Sequence, residues 1–160
     1  MATIAVTGHM NLTDSTVDKI RAALADLLAT RSTGDLVGVS CLARGSDTLF
    51  AEAVLDAGGR LVVVLPSQDY RQAKVKPDHA ETFDRLVAAA AEVRTAPHAT
   101  ASREAYEAAN EIVLGMADEL VAVWDGVPSG GRGGTADVVE SARERGIPVT
   151  VVWPEGAERS

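Results

Sequence analysis

The chain has 160 residues, 46% apolar and 24% charged, with a formal net charge of -8. That length suits one ordinary domain with a sizeable core and leaves no room for a second, and the composition excludes disordered and fibrous classes. Only three of the fifteen basic residues are lysines, Lys19, Lys74 and Lys76, so no lysine-rich stripe is available to neutralise a run of phosphates and nucleic acid is not expected as a partner.

Met1 to Val6 reads as a short strand, without the basic region, apolar core and cleavage site of a signal peptide, and no apolar run approaches membrane-spanning length. A cytoplasmic protein with no membrane partner is expected. The β-branched run Ile4 to Thr7 ends in Gly8, and Val17, Ile20, Leu24, Leu27 and Leu28 carry helical spacing over Asp14 to Thr30, with Asp14 as N-cap and Gly34 beyond the stop. Leu36 to Ser40 is a second strand. Leu49, Phe50, Ala53, Val54 and Ala57 form the apolar face of a second helix, ended by Gly58-Gly59. The unbroken apolar run Leu61 to Leu65 reads as a strand buried on both faces and central in a parallel sheet.

Phe83, Leu86, Val87 and Ala90 mark a third helix, and Glu92 to Thr95 a short strand. Ser102 caps a fourth helix carrying Ala105, Ala109, Ile112, Val113 and Met116. Glu119 to Trp124 follows as a strand, Thr135 to Arg145 as a fifth helix stopped by Gly146, and Ile147 to Trp153 as the last strand. Alternating strands and helices imply an α/β, Rossmann-like three-layer sandwich: a mostly parallel sheet with helices on both faces. Residues 1–155 form this single domain, and 156–160 a frayed tail. An exposed sheet edge makes a homodimer conceivable.

Parallel strands point their carboxyl ends at one edge, and ligands bind there where strand order reverses. The loops gathered at that edge are 8–11, 41–47, 66–70, 95–103 and 125–134. The last holds Gly130, Gly131, Gly133 and Gly134 ahead of Thr135 and a helix. Glycines let backbone N–H groups approach an anion, and a helix N-terminus adds free donors and partial positive charge. The loop is either an anion cradle or a surface turn. It ends in no Gly-Lys-Ser/Thr, so ATP hydrolysis is not indicated.

Arg44, Gly45 and Asp47 share the loop after the second strand. Arg44 suits bidentate phosphate binding; Asp47 either accepts ribose hydroxyls or stabilises a helix first turn. Asp125 opens the glycine loop. Arg71, Arg103 and Arg132 complete a rim of arginines that would concentrate an anionic small molecule. Gly8 and His9 close the first strand, His9 as a phosphate ligand, proton shuttle or structural residue. Tyr70, Tyr106 and Trp124 could stack on a base, although core packing suits Trp124. Cys41 is the lone cysteine, which rules out an intrachain disulfide. No Gly-x-Ser-x-Gly elbow and no metal-ligand spacing is present, and no cofactor is implied.

The segment Val39-Ser-Cys-Leu-Ala-Arg-Gly-Ser-Asp47 resembles the Ser-Gly-x-Ala-x-Gly-Ile-Asp segment of the DNA-processing protein A (Smf) Rossmann domain. Asn110 to Asp118 resembles that family's Asn-Arg-x-Ile-x-Gly-Leu-Ser segment, and Gly130 to Glu140 the Gly-Gly-x-Gly-Thr-x-x-Glu loop of the LOG proteins. Both belong to the SLOG superfamily, whose resemblance implies a nucleotide-binding Rossmann-like domain. LOG enzymes are phosphoribohydrolases that release free base from a nucleoside monophosphate. Their motif places glutamate three residues after the threonine, where this chain has Val138, and Cys41 replaces a glycine. LOG-like turnover would need Asp137 or Glu140 to supply the displaced acid, unless both simply face solvent. The resulting expectation is a sensor or binding module for a nucleotide-like phosphate ligand, with a phosphoribohydrolase as the alternative.

Overall fold

In the computed structural model of the chain, which describes residues 2–31, 34–128 and 134–160, strands and helices alternate. In chain order they are β1 (Ala2–Gly8), α1 (Asp14–Arg31), β2 (Leu36–Ser40), α2 (Ser46–Asp56), β3 (Arg60–Leu65) and α3 (Tyr70–Lys74). There follow α4 (Pro77–Ala89), β4 (Glu92–Thr95), α5 (Arg103–Met116), β5 (Glu119–Val123), α6 (Thr135–Glu144) and β6 (Val149–Val151). The strands form one sheet in the order β4-β3-β2-β1-β5-β6. Every pairing between them is parallel, so the expected Rossmann-like α/β sandwich is present with a wholly parallel sheet.

Strand alternation sends successive side chains to opposite layers. Ile4, Val6, Val121 and Val123 meet Ile20, Leu24 and Leu28 of α1 and Phe50 and Val54 of α2 on one face. Ala5, Val39, Val62, Val64 and Leu120 meet Ala109 and Val113 of α5 and Val138 and Ala142 of α6 on the other. Leu61 and Val63 extend the first layer toward Phe83 and Leu86 of α4. Each such aliphatic or aromatic side chain contributes about 1.5–3 kcal/mol when fully buried.

β3 is not central as its composition suggested; it lies second from the edge. Its apolar run reflects helices on both faces rather than position in the sheet. The edge strand β4 is exposed throughout, and its Glu92–Arg94 ion pair places charge on an edge that would otherwise template strand addition. Helix α3 escaped the periodicity because five residues make little more than one turn. Thr13, not Asp14, caps α1: its Oγ1 accepts from the Thr16 N–H at 3.3 Å. Ser102 caps α5 as expected, accepting from the Ala105 N–H at 3.1 Å.

The last residues, expected to fray, are hydrogen-bonded to the segment after β1. Leu12 and Arg159 form an antiparallel bridge, the Glu158 N–H donates to Thr16 Oγ1 at 2.7 Å, and the Ser160 N–H donates to the Asn11 carbonyl at 3.2 Å. At the opposite end of the sheet, Arg31 grips Glu119 through two hydrogen bonds of 3.1 Å, and Thr150 donates to the same carboxylate at 2.6 Å. The Arg31 guanidinium holds the Glu119 carboxyl below the usual carboxylate range.

The end of β1 is the tightest seam of the fold. The His9 N–H donates to the Val123 carbonyl at 3.1 Å, while its own carbonyl accepts from the Ser46 N–H at 3.2 Å and from Ser46 Oγ at 2.7 Å. A Cβ on Gly8 would lie 2.5 Å from the Ser46 Cβ and 2.8 Å from the Val123 Cβ. One on Gly45, whose φ is +82°, would lie 2.5 Å from the Met10 carbonyl oxygen. We expect Gly8→Ala and Gly45→Ala each to lower unfolding free energy by roughly 1–3 kcal/mol in urea titrations, from overpacking. A midpoint within error of wild type for both would show that the seam has slack.

Candidate functional site

The chain leaves β1 toward β2, β3 and β4 on one side and returns through α5 to β5 on the other. The strand order therefore reverses between β1 and β5, which opens a crevice at their carboxyl ends. A cleft of about 510 Å³ occupies this place. Its floor includes Gly8, His9, Cys41 and Asp47. The first turn of α6, Gly134 to Ala136, enters from one side, and Tyr106, Ala109, Asn110 and Val113 line another. Those four α5 residues stand at i, i+3, i+4 and i+7, so a single helical face supplies them.

Among the described residues, three of the five exposed large hydrophobics ring this cleft: Met10 (53%), Tyr106 (40%) and Val127 (57%). Trp124 also lines it, partly buried, and donates its indole N–H to the Val127 carbonyl at 3.0 Å, which pins the turn after β5. Arg159 reaches the cleft from the docked C-terminal segment, and its position in an expected frayed tail is why sequence reasoning missed it. Asn110 carried a readable signal, since it is a polar residue four positions after Tyr106 on an otherwise apolar helix face.

Of the residues expected to bind ligand, Gly8, His9, Asp47, Gly134 and Thr135 line the cleft. Gly130, Gly131, Arg132 and Gly133 lie outside the described residues. Gly8 and Gly45 are crowded by the protein's own atoms, so their lack of a side chain serves packing. Asp125 borders His9: its N–H donates to His9 Nε2 at 3.1 Å, and its carboxylate stands 3.8 Å from Arg159. Arg71 is held bidentately by Asp84 at 2.7 and 2.6 Å. Arg103 heads α5 and does not line the cleft. Asp137 and Glu140 do not line it either, whereas Val138 does, so the position at which LOG proteins carry glutamate faces the cleft with an apolar side chain.

Beside the cleft lies a smaller lobe of about 120 Å³, which shares Met10, Asn11 and Tyr70 with it. Arg44, Lys74, Lys76 and His79 line this lobe. Arg44 pairs with Asp78, and both partners are well exposed, so the pair is weak enough to exchange Asp78 for another anion. Leu42 adopts φ 55° in the loop between cleft and lobe. Its N–H donates to Ser40 Oγ at 3.1 Å, and its carbonyl lies 3.2 Å from His79 Nε2. These bonds and full burial of its side chain hold a backbone conformation that costs about 1–3 kcal/mol elsewhere.

Burial lowers the His9 pKa and Arg159 lowers it further, against the opposing pull of Asp125. Lowering favours the neutral ring, in keeping with Nε2 as acceptor for the Asp125 N–H. Burial also pushes the Asp125 carboxyl upward, but the Val127 N–H, His9 and Arg159 together hold it below the usual range. The Cys41 thiol is raised well above the thiol range by burial and by Asp47, which keeps it protonated and unreactive. Among the described residues no group of His, Cys, Asp and Glu could hold a metal ion, and no helix is long and apolar enough to cross a membrane.

Asp47 is pushed up to about 7 by burial, offset only by a long 3.4 Å bond from the Ala43 N–H. The unfolded chain releases this proton near pH ~4, so Asp47 removes stability as pH rises from about 4 to 7. We expect Asp47→Asn, which keeps an acceptor for Ala43, to unfold at the same denaturant concentration as wild type at pH 4. At pH 8 it should gain stability, by at most a few kcal/mol, because each tenfold change in proton affinity is worth about 1.4 kcal/mol. An equal effect at both pH values would contradict a buried, proton-holding carboxyl.

The comparisons with known proteins bear on the fold and the family. No curated protein sequence matches the chain. Its fold is similar to that of DNA processing protein A from Streptococcus pneumoniae, with a TM-score of 0.70 and 19% identity, over 98% of this chain and 52% of that one. It is also similar to DNA processing protein A from Helicobacter pylori, described in its single-stranded DNA binding mode, with a TM-score of 0.70 and 18% identity over 99% and 68% of the two chains. A third similar structure is the Moco carrier protein of Chlamydomonas rheinhardtii, with a TM-score of 0.54 and 18% identity over 94% and 75%. The chain thus spans about half the length of the pneumococcal protein, and these likenesses establish the Rossmann-like fold. They also correct one expectation: nucleic acid was set aside as a partner, yet the matching family is one of DNA recombination mediators and its Helicobacter member is described binding single-stranded DNA. Net charge sums the whole surface, whereas binding responds to the local potential, and Arg44, Lys74 and Lys76 gather beside the cleft. Matched over residues 1–159, the chain belongs to the DNA recombination-mediator protein A family.

Proposed function

We propose that the cleft binds one nucleotide unit, with its phosphate at the first turn of α6 and its base against Tyr106, and that single-stranded DNA presents this unit. The observation that carries the reading is the composition of the cleft. A helix N-terminus with glycine at its N-cap stands with an exposed aromatic ring and the Asn110 amide where the strand order reverses. Free N–H groups and the helix dipole favour an anion. An exposed ring offers sequence-tolerant stacking worth about 1–3 kcal/mol per base, and the amide supplies donors and an acceptor for a base edge. Family membership and the DNA-binding description of the Helicobacter protein support the choice of ligand.

A phosphoribohydrolase reading has less support. Cleavage of an N-glycosidic bond by analogy with glycoside hydrolysis employs a pair of carboxylates. Among the described residues Asp47 is the one carboxylate lining the cleft, and Val138 fills the place of the second. Incubation with a panel of nucleoside monophosphates should release no free base, and steady release would reverse the preference.

Binding is tested by fluorescence anisotropy with a short labelled oligothymidylate. Affinity should fall as salt rises, and Tyr106→Ala should weaken it by about tenfold or more, consistent with the loss of one stacked base. Salt-independent binding, or equal affinity for Tyr106→Ala, would overturn the reading.

A further inference from the structure

We infer that the small lobe lined by Lys74 and Lys76 is a second phosphate site. It accepts the backbone of a strand whose nucleotide sits in the cleft, so the preferred ligand is an oligonucleotide rather than a mononucleotide. This inference rests on the nucleotide reading of the cleft and specifies its ligand.

The lobe is built by a short connection between two helices. Pro77 is the first residue of α4, and a residue before proline is driven out of the helical region. Lys76 accordingly takes φ -74° and ψ 155°, and Val75 φ -83° and ψ 113°. Lys74 closes α3, and Lys76 follows two residues later on the extended connection, so both reach the lobe, which Val75 also borders. Val75 packs against the cluster around Tyr70 and Phe83, and Lys74 and Lys76 stand exposed and line the lobe.

These are two of the chain's three lysines, in a protein of net charge -8. Among the described residues neither has an ion-pair partner, and the lobe's lining contains no carboxylate. The acid nearest in sequence, Asp78, is engaged by Arg44, and His79 is turned toward the Leu42 carbonyl and Thr48 Oγ1. The lobe has less than a quarter of the cleft's volume. That is too little for a nucleoside but suits a phosphate, held by flexible ammonium groups acting as point charges. Because Met10, Asn11 and Tyr70 border both spaces, a strand can pass from one to the other without leaving the surface.

The test compares wild type with the double variant Lys74→Gln/Lys76→Gln, using thymidine monophosphate and a short oligothymidylate as probes at several salt concentrations. Both lysines are exposed, so the fold should be retained, which a thermal melt checks. The variant should bind the mononucleotide as wild type does. It should bind the oligonucleotide about fivefold more weakly per lost phosphate contact near ~0.1 M salt, with the salt slope reduced by about 0.7 for each. Lys74→Arg/Lys76→Arg should restore oligonucleotide affinity. Unchanged affinity for both probes, or an equal loss for both, overturns the second site while leaving the cleft reading in place. Failure of wild type to bind either probe overturns the cleft reading and this inference with it.

Discussion

The close approach of three backbone segments at Gly8 and His9 is the constraint on which the rest of the molecule depends. β1, β5 and the start of α2 meet there within van der Waals limits that exclude even a methyl group at Gly8. His9 spends its N–H on Val123 and its carbonyl on Ser46. Because β1 lies between β2 and β5, this junction sets the strand order reversal and the direction in which α2 and α6 present their first turns. Loosening it would move the floor and one wall of the cleft together.

Two electrostatic regimes follow from that geometry. At the cleft floor, burial favours the protonated forms of Asp47 and Cys41. Burial lowers the His9 pKa too, and Arg159 lowers it further. Above neutrality the floor gains the negative charge of Asp47, which opposes an anionic ligand. Outside, at the lobe, water screens each cation, and attraction depends on several of them acting together at short range. A ligand that spans both regions feels helix N–H groups in one and mobile ammonium groups in the other.

Particular residues show how far the sequence could be read. The β-branched runs ending at Gly8 and Ser40, the spaced Ile20, Leu24 and Leu28, and the Ser102 cap are local signals, and each element appears where those signals place it. β3 shows the boundary of this reasoning, since burial of both its faces was legible but its place in the strand order was not. The same boundary runs through the site. Asp47, Gly134 and Thr135 were legible because they follow strands. Tyr106 and Asn110 reach the cleft from inside a helix, and Arg159 from a segment docked by hydrogen bonds to residues more than a hundred positions away.

By itself, the sequence determined the alternation of strands and helices, the parallel sheet and the edge at which the loops after the strands gather, because these follow from periodicity, propensity and the handedness of crossovers. Tertiary structure alone decided which side chains share that edge. It set Val138 in the lining of the cleft, where Asp137 and Glu140 do not appear, committed Arg71 to Asp84, and brought Lys74 and Lys76 beside Arg44. The physical reason is that local preferences act through neighbouring residues, whereas the potential and solvation at a site are sums over groups that meet only when the sheet is assembled.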